Sequence, residues 1–389
     1  MTRVSRRALA FLAVVPLVAA LAGCGGAQPS GSPAAPSTPA PSSNSAPPSG
    51  EAPAGALMMV VANELRMRAA PGTGSDLVGG LERGDVVEIV SEPADADGFT
   101  WYEAIDIGGR RGWVAEGDGS DAWLSALPAE DDGVPMLSFE FACDVTGPFQ
   151  APSTLIFEHG RVVHHFSATN AWQVRTLSAA GLADVRSNIL GSPYLQASAD
   201  YVPVPRPDAG DPPGHGVCGF TFVIATDGAP IEVTSINWFG DEEESEFYQP
   251  SPERKTLDAM ARNLMAIDQV LGEPSWEPAG WLPWIPEAHL IGVGPGEGPL
   301  PDGGAVIEPG STGLGDLAAF GAPAGRGRCG VVSREQAFGF ARALNEAGHD
   351  PAIRLNTSTS LVFGTEAGWT YGLFHPSAPG TPDCEELDF

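Results

Sequence analysis

Five cysteines are the residues of this chain best suited to covalent chemistry. Cys24 stands apart, because it closes a short apolar segment near the start of the chain. The other four are Cys143, Cys218, Cys329 and Cys384. An even number of cysteines in an exported chain is typical of disulfides. Four cysteines can pair in three ways. We expect Cys143 to pair with Cys218 and Cys329 with Cys384, since each pair brackets one globular segment. A thiol nucleophile or a metal site is the alternative, but no C-x-x-C spacing supports it.

The segment before Cys24 has the pattern of an export signal. A positively charged start is followed by an apolar run over residues 8–20 and then by Leu21-Ala22-Gly23-Cys24. This pattern resembles the lipobox of bacterial lipoproteins. The resemblance implies cleavage before Cys24 and a diacylglyceryl group on its sulfur, and two acyl chains anchor a protein stably. We therefore expect residues 1–23 to be a lipoprotein signal peptide, exported by the Sec or the twin-arginine route. The mature chain would then lie on the extracytoplasmic face of the cell membrane.

The charge of the chain limits its partners. Its formal net charge is -29, its isoelectric point is about 4.4, and Lys255 is its only lysine. A polyanion of this kind repels nucleic acid and anionic headgroups, so we expect no nucleic-acid partner. Cations and basic partners remain compatible with it. Residues 24–56 are rich in Pro, Ser and Ala and too poor in apolar residues to fold, which indicates a disordered tether.

Short strands separated by turn dipeptides are the pattern of residues 57–124. The turns are Pro71-Gly72, Gly79-Gly80, Asp97-Gly98 and Gly108-Gly109. Four motifs occur there in order, and together they resemble a bacterial SH3 domain. They are Leu65-Arg66-Met67-Arg68-Ala69-Ala70-Pro71, Val78-Gly79-Gly80-Leu81 with Gly84-Asp85-Val86-Val87, Trp101-Tyr102, and Gly109-Arg110-Arg111-Gly112-Trp113-Val114. The resemblance implies a small all-β barrel that binds a cell-wall peptide of peptidoglycan or an envelope protein.

Aromatic residues of this segment are the candidate ligand-binding residues. The resemblance implies that Trp101, Tyr102 and Trp113 line a peptide groove, because aromatic rings stack on peptide bonds with little loss of entropy. The alternative is that they form the barrel core. The ligand preference is most open at the long loop from Ser91 to Gly98 and at the acidic stretch before Trp123.

An α+β region is predicted to follow the barrel, which makes the chain multidomain. In residues 136–272, Asp227-Gly228 predicts a hairpin, Ser178 begins one helix, and Ser251-Pro252 begins another. Residues 273–309 are dense in Pro, Gly and Trp and predict a linker with little regular structure. Residues 310–389 predict a small α+β unit, with a capping box at Ser333 and strands at 353–355, 361–363 and 369–374. The region from 136 onward also resembles lipoprotein regions of actinobacterial type that have no assigned activity.

Two further clusters could bind a metal ion. His159, His164 and His165 include neighbours that face opposite sides of a strand, so both cannot ligate one ion. The acidic run 241–246 lacks the spacing of a calcium loop. A structural or surface role is favoured for both clusters, and no cofactor or metal is expected.

The motifs of enzymes are mostly absent from the chain. It has no G-x-S-x-G, no H-E-x-x-H and no phosphate loop. We therefore expect a non-catalytic envelope protein. One alternative is a cell-wall hydrolase with its active site in 136–389, for which Cys329 with His349 or His375 would be the constellation. Another is an extracytoplasmic receptor for a small ligand or a cation.

Overall fold

The computed structural model describes residues 52–127, 133–143, 153–210, 218–236, 247–249, 251–295, 305–306, 313–314, 320–324, 327–349, 352–365, 368–376 and 384. Within them, two sheets of eight strands and one of six account for the strands. The signal segment 1–23, Cys24, most of the tether and the acidic run 241–246 lie outside the described residues. The expectations for those segments stay predictions.

The first sheet contains the strands predicted for residues 57–124. Its strands are β1 Leu57–Val60, β2 Glu64–Arg68, β3 Leu77–Glu82, β4 Val86–Ile89, β5 Ala94–Ala96, β6 Phe99–Asp106, β7 Arg111–Ala115 and β8 Leu124–Ala126. The order is β3-β2-β7-β6-β4-β1-β8, with β5 paired to β6. An SH3-like β domain is thus present. Closure into a barrel is not confirmed, because no ladder joins β3 to β8 in the described residues.

Alternation of side chains builds the core of this sheet. On β2, Leu65 and Met67 are buried while Glu64 and Arg66 are exposed. The inward set comes from seven of the strands and includes Val60, Leu81, Ile89, Tyr102 and Val114. The odd-numbered positions of β6 and β7 therefore lie on the outer face of the sheet.

The second sheet lies in the region predicted to be α+β. Its strands are β9 Leu137–Cys143, β10 Thr154–Ile156, β11 Arg161–Phe166, β12 Ala171–Thr176, β13 Ala199–Tyr201, β14 Cys218–Ile224, β15 Ile231–Ile236 and β16 Leu282–Pro283, in the order β13-β15-β14-β9-β10-β11-β12-β16. The helices are α1 Ala179–Val185, a π-helix Arg186–Leu190, a 3-10 turn Pro193–Leu195, α2 Pro252–Met265, α3 Ile267–Val270 and a 3-10 turn Glu273–Ser275. The predicted hairpin around Asp227-Gly228 is confirmed, since β14 and β15 are antiparallel.

Helix α2 begins where the sequence predicts. The Ser251 side chain accepts a hydrogen bond from the Arg254 backbone N–H, and Pro252 occupies the first turn. Its apolar face, with Leu257, Ala261 and Leu264, is buried in one cluster with side chains of the second sheet.

The third sheet is built from both sides of the predicted linker. Its strands are β17 Ala288–Pro295, β18 Ala305–Val306, β19 Ala322–Ala324, β20 Gly327–Ser333, β21 Thr359–Thr365 and β22 Gly368–Pro376, in the order β18-β21-β22-β17-β20-β19, and helix α4 spans Arg334–Glu346. Residues 273–309 were expected to have little regular structure, and this expectation is wrong. They contain β17, which pairs with both β20 and β22, because a buried apolar run lies between prolines. The strand predicted at 353–355 is also absent, whereas those at 361–363 and 369–374 are confirmed.

The SH3-like sheet packs directly on helix α4. Arg342 Nη1 lies 2.6 Å from Glu88 Oε2, and Asn345 Nδ2 donates to the Ile107 carbonyl at 3.1 Å. Val86 is 5% exposed and belongs to the same apolar cluster as Phe338 of α4. The first sheet therefore shares a core with the third, and the chain from Glu51 to Phe389 forms one compact unit.

The second and third sheets are joined at Trp172. Its backbone N–H donates to the Asn356 carbonyl at 2.7 Å, and Asn356 Nδ2 donates back to the Trp172 carbonyl at 3.2 Å. Ala171 forms an isolated bridge with Thr357 next to them. Backbone pairing thus continues from β12 to the segment before β21.

One predicted disulfide is confirmed and the other is compatible with the strand register. Cys329 on β20 is bonded to Cys384. Cys218 on β14 is also disulfide-bonded, and the register places Cys143 on β9 directly opposite it. The pairing of Cys143 with Cys218 stays a prediction. No helix in the described ranges is both long and apolar enough to cross a bilayer.

Candidate functional site

The outer face of β2, β7 and β6 carries the candidate site. Trp113 on β7 lies directly between Arg68 of β2 and Glu103 of β6, since each is its cross-strand partner. Leu77 of β3 is paired with Arg68 and is 62% exposed. These four side chains form one row across the sheet. Trp113 itself is half-buried, so one part of its ring faces solvent.

Two of the three predicted aromatic residues are buried, which corrects the expectation that they line an open groove. Trp101 is 3% exposed, and its indole reaches to β5, where Nε1 donates to the Ala96 carbonyl at 3.0 Å. Tyr102 is 1% exposed, points into the core, and accepts a hydrogen bond from the Ala52 N–H at 3.4 Å. Of the predicted set, only Trp113 is placed where a ligand can reach it.

Charge around Trp113 is set by arginines. Arg111 Nε donates to Glu103 Oε1 at 2.8 Å, and this hydrogen bond holds the pKa of Glu103 below its usual range. Arg68 Nη1 donates to the Ser75 carbonyl at 2.6 Å, and no carboxylate within the described part of the chain forms an ion pair with this arginine. Arg66 is exposed two residues before Arg68 on the same face of β2. Such a surface suits stacking on a peptide and attraction of a carboxylate.

A second aromatic group on the same sheet was not predicted as a site. The rings of Phe99 and Trp123 are 5.6 Å apart, both are half-buried, and Phe99 also meets Trp101 edge-on at 6.5 Å. They come together because the Trp123 N–H donates to the Glu116 carbonyl at 2.7 Å, folding the β7–β8 connection over the start of β6. The sequence shows Trp123 after an acidic stretch, but it does not show which aromatic residue that tryptophan contacts.

A buttressed loop positions this second group. Asp97 has a φ of 53°, and its Oδ2 accepts hydrogen bonds from the Thr73 backbone N–H and Oγ1, both at 2.8 Å. The hydrogen bond from the Thr73 hydroxyl, followed by that from its N–H, holds the pKa of Asp97 below its usual range. The β5–β6 turn is thereby fixed against the β2–β3 connection.

The structure separates the three members of the histidine cluster. His164 is 3% exposed and lies 2.8 Å, Nδ1 to Oγ1, from Thr154, whereas His165 faces the other side of the sheet against Trp172. His159 is exposed in the β10–β11 turn beside Phe157. The predicted opposition of His164 and His165 is confirmed. The described part of the chain contains no group of three or more His, Cys, Asp or Glu that could hold a metal ion.

Cys329 is not available as the nucleophile of a cysteine hydrolase. Cys329 is fully buried and its sulfur is bonded to Cys384. A thiolate is the nucleophile in such enzymes, and a disulfide sulfur cannot take that role. His375 contacts Ser358 instead, with Nδ1 and Oγ 2.5 Å apart.

Comparison with known proteins identifies one part of the chain. Residues 63–120 match the family model of the bacterial SH3 domain. The match covers β2 to β7, and the structure adds β1 and β8, which pair with each other outside it. No curated protein and no solved structure matches the chain. Residues 63–120 are therefore a bacterial SH3 domain, the kind of module predicted from the motifs.

Proposed function

We propose that this chain is a non-catalytic, lipid-anchored protein of the cell envelope whose SH3 domain binds a cell-wall peptide or a partner protein. The observation that carries the proposal is Trp113 on the outer face of a bacterial SH3 domain, where Arg68 and Glu103 flank it on the two neighbouring strands. Bacterial SH3 domains are binding modules, so the family match supports binding over catalysis.

The anchor in this proposal is supported by the sequence around Cys24. Leu21-Ala22-Gly23-Cys24 follows a positively charged and apolar start. A net charge of -29 opposes adsorption to anionic lipids, so a covalent lipid is the attachment that fits this chain. Mass spectrometry of the native protein should find acyl chains on Cys24. Cys24→Ser should release the protein from the membrane fraction, and a bare Cys24 sulfur would contradict the anchor.

Wall binding is tested with the full chain carrying Cys24→Ser, incubated with purified peptidoglycan sacculi and pelleted. The full chain is needed because the SH3 domain shares its core with α4. We expect retention of the parent protein and a roughly tenfold weaker affinity for Trp113→Ala, the loss typical of a central aromatic contact. Val331→Ala is the matched control, since Val331 is 57% exposed on β20 of another sheet.

The outcomes separate the two kinds of partner. Retention that Trp113→Ala weakens and Val331→Ala leaves unchanged supports a wall ligand on this face. A folded parent protein that stays in the supernatant overturns wall binding. In that case, a photoreactive group placed at position 77 should crosslink this chain to a partner protein in intact cells. Failure to crosslink any protein would overturn the binding proposal as a whole.

A further inference from the structure

A line of aromatic side chains extends along the outer face of β6 and β7. Trp113 is paired with Glu103, Trp101 follows one pleat away, and Phe99 with Trp123 completes the line. Trp101 is buried, while the residues at both ends are half-buried. We call this line, from Trp113 to Trp123, the aromatic band.

One end of the band is positively charged. Arg68 is the cross-strand partner of Trp113, and Arg66 is exposed on the same strand. Neither forms an ion pair with a carboxylate in the described residues. Arg111 lies in the next row, where Glu103 matches its charge. An incoming carboxylate would thus meet two guanidinium groups that are not neutralised.

The other end is negatively charged. The Glu116 backbone carbonyl accepts the backbone hydrogen bond of Trp123, which closes the turn between these two residues. Asp118 and Asp121 lie in the turn between them, where Asp118 Oδ1 accepts from the Asp121 N–H at 2.8 Å. No lysine or arginine occurs in residues 84–109 or 112–127. Trp123 of the Phe99–Trp123 pair therefore follows a turn that carries two carboxylates, and no lysine or arginine lies close to either aromatic residue along the chain.

Charge polarity of the band defines the class of ligand that fits it. From this arrangement, and resting on the proposed function of the SH3 domain as a peptide-binding module, we infer that the ligand is an extended peptide with a carboxylate near one end and a free amine near the other. The carboxylate lies at Arg66 and Arg68, and the amine lies on the Phe99–Trp123 pair. Phe99 and Glu103 are four positions apart on one strand, about 13 Å, and Arg68 lies two strand spacings, about 10 Å, to the side of Glu103. The two ends are therefore about 16 Å apart, the length of about five extended residues.

Each end of the aromatic band attracts one sign of charge. An ammonium group over an aromatic face is attracted by the ring quadrupole, and nearby carboxylates add to that attraction. A carboxylate beside two guanidinium groups gains charge-assisted hydrogen bonds. A peptide bound in the opposite direction would place its amine beside the arginines and its carboxylate beside the acidic turn, and both contacts are repulsive. The band therefore selects the direction of the bound peptide as well as its extended shape.

The test is calorimetric titration of the full chain, carrying Cys24→Ser, with acetyl-Lys-Ala-Ala-Ala-Glu-amide. Matched probes replace Lys by norleucine, replace Glu by Gln, or lack two of the alanines. We expect each change to weaken binding by about fivefold, the size of one exposed cation–π or ion-pair contact. Affinity should also fall as sodium chloride is raised.

Variants connect each probe change to one end of the band. Asp121→Asn should weaken binding of the lysine probe about threefold and leave the norleucine probe unchanged. Arg66→Gln should weaken the glutamate probe and leave the glutamine probe unchanged. Asp200→Asn is the control, because Asp200 is exposed on β13 of the second sheet. A purely structural effect of either variant would weaken all probes equally and would overturn the inference.

Two results separate this inference from the proposed function. Equal affinity for all four probes, with sacculus retention intact, would overturn the polarised band and leave wall binding standing. Charge-dependent binding of the probes without sacculus retention would support the band and overturn the wall as the partner.

Discussion

At the residue scale, buried histidines make stability depend on pH. His164, His289 and His375 each have a pKa lowered to about 4, with burial as the main cause in all three. The Ser358 hydroxyl contacts His375 Nδ1, and the Trp172 ring lies 6.5 Å away across the junction between the second and third sheets. A neutral imidazole is thus part of that junction.

The sign of the pH effect follows from these pKa values. Histidine in an unfolded chain has a pKa of about 6.5. Between pH 6.5 and 4 the unfolded chain binds more protons than the folded one, so the free energy of unfolding falls as pH falls through this window and is constant for these groups above it. Urea unfolding at pH 7.5, 5.5 and 4.5 should show the loss.

His375→Gln isolates the contribution of the junction. The variant should lose less stability than the parent between pH 6.5 and 4.5, because one proton-binding group has been removed. Carboxylates also titrate near pH 4, so the comparison is between variant and parent at each pH. Identical losses in both proteins would contradict a role for His375.

At the element scale, helix α4 connects two sheets. One of its faces carries Phe338, Phe340 and Leu344 into the core of the third sheet, and Arg342 with Asn345 contacts the SH3 domain. Its first turn is closed by a capping box between Ser333 and Gln336. The helix terminus therefore affects both neighbouring sheets.

Ser333→Ala should lower the free energy of unfolding by about 1 kcal/mol, because the backbone N–H of Gln336 loses its side-chain acceptor. Urea denaturation followed by circular dichroism measures the change. Ser91→Ala is the control, since the Ser91 hydroxyl donates to the carbonyl of its own neighbour Glu92, and this substitution should change stability by less than about 0.5 kcal/mol. Equal losses in the two variants would contradict the capping role.

At the scale of the whole molecule, the SH3 domain is one part of a continuous packed structure. Val86 is 5% exposed only because the third sheet and α4 cover it, and Leu57, Ile107 and Leu127 pack against the same cluster. Arg83 Nη2 also donates to the Ala279 carbonyl at 2.7 Å, in the segment just before β16. Excision of the domain would expose this apolar side.

A fragment of residues 52–127 should therefore be less stable than the same strands in the full chain, by about 2 kcal/mol for the exposure of Val86 and its neighbours. Hydrogen exchange of the β4 and β6 amides in both proteins measures the difference. Val86→Ser in the fragment should reduce binding of a hydrophobic dye without changing the ligand face. Equal protection of the amides in fragment and full chain would contradict a shared core.

The sequence by itself determined the local structure of this protein. Motifs from Leu65 to Val114 identified the SH3 domain, and Ser251-Pro252 and the Ser333 capping box placed two helices, because caps, turns and alternation act over a few residues. The predicted Cys329–Cys384 bond was found as well. Only the tertiary structure decided which aromatic residues are accessible, since burial depends on strands that pair over long separations. It buried Trp101 and Tyr102, brought Trp123 to Phe99, and turned the presumed linker into the central strand β17, where strand partners at positions 327–333 and 368–376 satisfy its backbone.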